Sequence, residues 1–362
     1  MSVCWAGRVN HMGLSEPAAT PAEQPGSRPI LSVRNLVKWF DLDRSLVAAA
    51  RGKTVDRVTA VDGVSFDLLP NQVLGIVGES GSGKSTLARC LVSLYRPNSG
   101  QVLFDGQDMT DADRGQLSSL HRRMQMVFQD PFTSLNPRIT IGGAILEAGL
   151  VHGRVGADRE GFVANLLSTV GLPRALAGRL PRALSGGQRQ RAAIARALAV
   201  EPEVLIADEA VSALDLSIQA QILNLFADLK DRLGLAMVFI AHDLAVVSNV
   251  SDRVAIMYLG RIVEEGPVRV VFGNPQHPYT KALVAAHPDP MVRRRRGEAS
   301  ISGDVPSPFE IPSGCRYRSR CPYAEDRCTT EDPMLEPFGV GTRRRVACHV
   351  LPFADASLAD EA

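Results

Sequence analysis

The sequence contains no run approaching the ~20 consecutive apolar residues that a helix needs to cross a bilayer. Its N-terminus lacks a basic stretch leading into an apolar signal core, so the chain is expected to stay in the cytosol. Net charge is also nearly absent: 40 Lys and Arg face 39 Asp and Glu, leaving +1. That balance gives no electrostatic reason to expect a nucleic-acid partner. Cysteine is scarce, at six in 362 residues, which excludes a disulfide scaffold, and a reducing compartment argues the same way. No repeat of fixed period occurs, which excludes a repeat array.

What is present is a globular composition, 45% apolar and 22% charged, long enough for one large domain or two smaller ones. Residues 1–28, rich in Pro, Ala, Gly and Ser, read as a flexible leader. From 29 to 268, β-branched runs alternate with Ala- and Leu-rich helical stretches, the pattern of a parallel α/β sheet. Val73–Val77, Met124–Phe128, Val204–Ala207 and Met237–Ala241 are predominantly apolar runs of strand length, interrupted only by Gln125, and are expected as buried strands. Each ends in polar chemistry: a glycine-rich loop, Gln129, the pair Asp208 and Glu209, and His242. Ligands of open parallel sheets bind beyond the carboxyl ends of the strands, so these groups are expected to converge. Residues 110–123 and 140–184 are helical in pattern, and an insertion is expected over about 130–185. From 269 to 352 the chain becomes rich in Cys, Pro and Arg, an appended module, and 353–362 is a tail. Arg293–Arg296 reads as a solvated basic linker, with contact to anionic lipid as the alternative.

Gly78-Glu79-Ser80-Gly81-Ser82-Gly83-Lys84-Ser85-Thr86 fits the phosphate-binding loop throughout its spacing. Its glycines let backbone N–H groups turn inward onto phosphate oxygens, and a helix starting near Lys84 adds its positive dipole end. Lys84 supplies charge to the β- and γ-phosphates, and the Ser85 hydroxyl can ligate Mg²⁺. Val204 to Glu209 is an apolar strand delivering two carboxylates: Asp208 for the metal and Glu209 to polarise the attacking water. An acidic pair alone is usually a solvated loop, and its weight comes from the accompanying phosphate loop. Leu184-Ser185-Gly186-Gly187-Gln188 precedes a helical stretch and forms a second anion-binding helix start. One nucleotide already has its phosphate loop, and each motif occurs once. The second gripping element therefore suggests a composite site completed by another chain.

On these residues the chain resembles an ABC-family ATPase over about 30 to 270. The phosphate loop matches Walker A, Leu184–Gln188 the signature, Gln129 the Q-loop, Val204–Glu209 Walker B, Ser212-Ala213-Leu214-Asp215 the D-loop and His242 the switch histidine. The resemblance implies a P-loop NTPase cassette of α/β class, with a mainly parallel core sheet, a helical insertion and a Cys-containing C-terminal extension. It also implies a head-to-tail dimer in which each ATP lies between one Walker A and the partner's signature. Phe40 is placed like the family's adenine-stacking aromatic, an ordinary core aromatic being the alternative. Gln129 becomes a Mg²⁺ ligand coupled to the insertion, which in related transporters receives short helices of the membrane subunits. The family's proline after the catalytic acid is Ala210 here, a change expected to alter loop stiffness more than chemistry.

Cys315, Cys321, Cys328 and Cys348 are separated by five, six and nineteen residues. Four thiolates can enclose a metal centre, but this spacing is wider than the usual structural zinc knuckle. A four-cysteine iron–sulfur cluster tolerates varied spacing. These cysteines, with Asn274 to Lys281 (Asn-Pro-Gln-His-Pro-Tyr-Thr-Lys), resemble the C-terminal extension of oligopeptide and dipeptide importer ATPases. Some members of that group carry a [4Fe–4S] cluster there; zinc and free or disulfide-forming thiols are the alternatives. Cys4 and Cys90 read as ordinary thiols. The resemblance implies a peripheral ATPase on the cytoplasmic face of the cell membrane. Its partners would be a second ATPase subunit, identical or homologous, two transmembrane permeases and, indirectly, a solute-binding protein. Nickel and glutathione importers are close relatives, and a soluble ABC ATPase acting on DNA or ribosomes is the other class. That class usually needs long coiled-coil arms or two cassettes in one chain, and neither is seen.

Overall fold

The computed structural model describes residues 28–41, 57–130, 134–286 and 311–353. The leader through residue 27, Cys4, the Arg293–Arg296 run and residues 354–362 lie outside the described residues.

The strands, in chain order, are β1 (Leu31–Asp41), β2 (Arg57–Leu68), β3 (Val73–Val77), β4 (Ser99–Phe104), β5 (Gln107–Asp108), β6 (Met124–Val127), β7 (Val204–Asp208), β8 (Ala236–Ala241), β9 (Arg253–Tyr258), β10 (Arg261–Pro267), β11 (Glu336–Phe338) and β12 (Arg344–Val346). The main sheet has the order β11-β12-β10-β9-β3-β8-β7-β6. Its pairs from β9 through β3, β8 and β7 to β6 are all parallel. Alternation along β3 sends Val73 and Val77 into one core and Leu74 and Ile76 into the other, so the strand is apolar at every position. Each such side chain contributes about 1.5–3 kcal/mol on burial.

The parallel pattern read from the sequence omits a second sheet, antiparallel and ordered β2-β1-β4-β5. Along β2, Val61, Val64, Phe66 and Leu68 are buried while their neighbours are partly exposed. A strand with one wet face carries a weaker apolar signal than β3 or β7, which are buried throughout.

Helix α1 (Lys84–Leu91) follows β3, and α2 (Arg114–Arg123) precedes β6. Between β6 and β7 lie α3 (Ile141–Val151) and α4 (Arg159–Thr169), within the span 130–185 expected as the insertion, and then α5 (Gly186–Leu198) just beyond it. The stretch 110–123 does not belong with them. Its helix starts only at Arg114, capped reciprocally by Asp113 and Gln116, and Leu120 packs into the core beneath the antiparallel sheet. The buried faces of α3, α4 and α5 enter the opposite core. Helices α6 (Leu216–Leu233) and α7 (Leu244–Val250) complete the crossovers around β8, and α8 (Val268–Gly273) and α9 (Pro278–Ala286) follow β10.

The C-terminal residues, expected as an appended module, add two strands to the main sheet. Strand β12 pairs antiparallel with β10, Glu264 opposite Val346, and β11 pairs with β12. Three-residue strands leave no periodic trace in a sequence, which is why this continuity was not legible.

Candidate functional site

The four strands whose ends carry polar groups lie side by side with their carboxyl ends level. Val77 pairs with Ala241, Asp208 with Ile240 and Val127 with Ala207, so the residues that follow them emerge along one edge. From β3 the chain turns through Gly78 to Gly83 into α1. Gly83 has φ 101 and a Cβ there would sit 1.9 Å from the Ala60 carbonyl oxygen, so no other residue fits. Ser80 and Gly81 are exposed at the mouth of the loop, and Ser85 and Thr86 are half-buried at the helix start.

Lys84 is 4% exposed, and its Nζ donates to the carbonyl oxygens of Gly78 at 2.8 Å and Glu79 at 2.9 Å. Burial pulls its pKa below the ordinary lysine range, against the opposing charges of Glu209, Asp208 and Glu79. The Ser85 hydroxyl donates to Asp208 Oδ1 at 2.8 Å, bringing together two of the three residues expected to hold Mg²⁺. Burial raises the Asp208 pKa, while the Ser85 bond works the other way.

Glu209 stands at φ 48 immediately after β7, its N–H bonded to the Ile240 carbonyl at 3.0 Å. Gln129 Nε2 donates to Glu209 Oε2 at 3.0 Å, and His242 Nδ1 lies 3.8 Å from the same oxygen. The Ser212 hydroxyl donates to the Glu209 carbonyl at 3.0 Å and closes the turn, with Ala210 buried inside it. Lys84, Ser85, Gln129, Asp208, Glu209 and His242 thus share one site: a cation and oxygen ligands beside a carboxylate flanked by an amide and an imidazole. Such a set can bind a metal–polyphosphate and orient water against it.

Ser185 to Gln188 take no part in this cluster. Ser185 caps α5, accepting the Gln188 N–H at 3.3 Å while its own N–H donates to Gln188 Oε1 at 3.0 Å. A Cβ on Gly187 would fall 2.5 Å from Ile218 Cγ2, so the signature lies close against α6. Phe40 is half-buried near the end of β1, edge-on to Tyr95 with ring centroids 5.4 Å apart.

Two C-terminal groups that no motif announced reach the loop. The Tyr279 hydroxyl accepts the Glu79 N–H at 3.0 Å, and Arg320 forks onto the Glu79 carboxylate at 3.0 and 3.1 Å. The only sequence signal was that Tyr279 lies within the Asn274–Lys281 segment.

The four tail cysteines gather beside this contact. The Cys315 N–H donates to the Cys328 carbonyl at 2.9 Å, and burial pushes the Cys315 thiol up to about 11, with the charges of Cys328, Cys321 and Cys348 adding to the rise. Cys321 and Cys348 are raised by burial too, and Cys328 acts on both. The thiols are free and share a neighbourhood, but among the described residues no group of three or more His, Cys, Asp or Glu side chains is placed to hold a metal ion.

Residues 61–212 match the family described as ABC transporter, and residues 263–328 match the oligopeptide/dipeptide transporter C-terminal region. A probable peptide ABC transporter ATP-binding protein of Sinorhizobium fredii is 49% identical over 93% of this chain and 94% of its own length. The oligopeptide transport ATP-binding protein AppF of Bacillus subtilis is 45% identical over 89% of this chain and 97% of its own. Among solved structures, a component of an ABC transporter complex from Clostridium perfringens superposes with TM-score 0.58 at 30% identity, covering 68% of this chain and 91% of that one. A dimeric ATP-binding cassette bound to ADP and Pi in a post-hydrolysis state gives TM-score 0.57 at 27% identity, covering 66% and 99%.

Proposed function

Because this chain belongs to the ABC transporter family, among the ATP-binding proteins of oligopeptide and dipeptide import, we propose that it hydrolyses ATP to drive peptides across the cytoplasmic membrane. The observation that carries the chemistry is the convergence of Lys84, Asp208 with Ser85, and Glu209 with Gln129 and His242 on one sheet edge. ATP phosphate oxygens replace the carbonyls that Lys84 Nζ now bonds. Ser85, Asp208 and Gln129 are the residues that would hold Mg²⁺, which neutralises charge on the β- and γ-phosphates. Glu209 orients the attacking water and His242 hydrogen-bonds the γ-phosphate, giving ADP and phosphate. Phe40 offers its ring to the adenine. Ser185 to Gln188, capping an outward helix start, complete the site of a second ATPase, identical or homologous.

Glu209→Gln tests this directly: ATP binding persists while hydrolysis falls by about 100-fold or more, the size of a general-base contribution. Unchanged hydrolysis would sink the assignment.

Among the described residues no helix is long and apolar enough to cross a membrane. We infer from the family membership that two permease subunits supply the transport path. A cavity of about 440 Å³ supports their docking: it lies between β6 and the insertion, with Leu94 and Val151 exposed at its lining. Gln129, just past β6, links that groove to Glu209. On this reading the subunit sits peripherally on the cytoplasmic face, with a solute-binding protein supplying the permeases from the other side.

By sequence spacing alone, Cys315, Cys321, Cys328 and Cys348 suit a [4Fe–4S] cluster better than zinc, although as folded their side chains are not placed together to hold a metal ion. Anaerobically purified protein absorbing near about 400 nm with stoichiometric iron supports this, and bound zinc instead overturns it.

A further inference from the structure

Glu79 is an awkward residue at the second position of a loop that gathers polyphosphate, because its carboxylate carries the same sign of charge as the ligand. The structure turns it away. Arg320 meets both carboxylate oxygens, at 3.0 and 3.1 Å, and the Arg320 side chain is 4% exposed against 19% for Glu79. The guanidinium is itself fixed: it donates to the Tyr258 hydroxyl at 3.3 Å and lies 5.9 Å from the Tyr317 ring centroid. The Glu79 N–H is spent on the Tyr279 hydroxyl at 3.0 Å, and Tyr279 packs against Tyr258 with the rings tilted by 56° and their centroids 4.6 Å apart. Both partners come from beyond the cassette proper, Arg320 from 241 residues downstream.

We propose that Arg320 and Tyr279 are positioning residues of the nucleotide site, holding Glu79 out of the phosphate loop and cancelling its charge so that the loop's amides and Lys84 face polyphosphate unopposed. The proposal rests on the reading of this loop as an ATP site. The C-terminal extension thereby becomes part of the nucleotide-binding machinery, acting through Glu79 without touching ATP.

The test measures ATP affinity of the full-length chain, and KM and kcat of the chain in its assembled transporter. In Arg320→Met the freed carboxylate repels the ligand, and affinity falls and KM rises by about tenfold, while kcat at saturating ATP stays within about twofold. Adding Glu79→Gln to Arg320→Met removes the stranded charge and restores affinity to within about threefold of wild type, which a merely structural arginine would not allow. Arg320→Lys recovers part of the loss. If Arg320→Met does not fold, Arg320→Lys and Tyr279→Phe carry the test, each expected to weaken ATP binding by about two- to fivefold with melting temperatures near wild type; unaltered affinity in both overturns the proposal. A wild-type chain that binds no ATP overturns the site reading itself. ATP binding by wild type with Arg320→Met unaffected, or with a double variant no better than Arg320→Met, overturns the clamp alone.

Discussion

Glu209 holds φ 48, a left-handed conformation that costs a non-glycine residue about 1–3 kcal/mol and persists only where the surroundings fix it. Here its N–H bond to Ile240 and the Ser212 hydroxyl on its carbonyl do so, aiming the carboxylate at Gln129 and His242. Replacing His242 by Ala is expected to keep ATP binding and lower turnover by about tenfold or more, read as kcat against KM. A second residue-scale prediction concerns pH. His277 is 2% exposed and burial pulls its pKa from 6.5 down to about 3, with the Tyr279 backbone N–H bonded to its ring Nδ1 and Glu264 accepting the His277 backbone N–H. Below 6.5 the unfolded chain binds a proton that the folded chain refuses until about 3, so this contribution to stability is lost as pH falls through that window. Buried Glu264, raised by burial and facing Arg344, has the opposite sign, its contribution being lost as pH rises. The wild-type-minus-His277→Asn difference in denaturant midpoint isolates the histidine: it should shrink from pH 7 to pH 5, and a flat difference refutes the assignment. At this scale Lys84 and Ser85 were legible because their motif is contiguous. Arg320 was not, because its partner is fixed only by folding.

Among the elements, the two best-defined helix starts are both capping boxes, Asp113 with Gln116 and Ser185 with Gln188. They separate structure from function. Asp113→Ala removes a cap alone and should lower stability by about 1 kcal/mol with ATPase activity per folded molecule retained. Ser185→Ala loses a similar cap, but the same helix start is read as the partner's phosphate grip. Hydrolysis in the assembled dimer should therefore fall well beyond the stability loss, as unfolding curves measured beside turnover would establish. Strands β3, β7 and β8 were legible as unbroken apolar runs because both faces are covered. The antiparallel sheet was not, since its strands bury one face and β5 is two residues long.

For the whole molecule the consequential finding is that the tail extends the main sheet by two strands. Glu264 and Glu265 on β10 are 0% and 2% exposed, and their countercharges Arg344 and Arg345 arrive on β12. A chain ending after residue 286 would strip Glu264 of Arg344, while Glu265 would keep Arg253 on β9 at 3.1 Å, a loss of about 3–5 kcal/mol for the broken buried pair. Thermal unfolding of such a truncation should show a clearly lowered midpoint; an unchanged midpoint would make the tail a mere appendage. The sequence by itself determined the family, the order of the nucleotide motifs and the buried parallel strands, because contiguous motifs and two-sided burial leave local patterns. Tertiary structure alone decided the second sheet, the union of the tail with the main sheet and the Arg320–Glu79 contact. Those depend on short strands and single side chains meeting across hundreds of residues, where only the packed chain fixes which groups become neighbours.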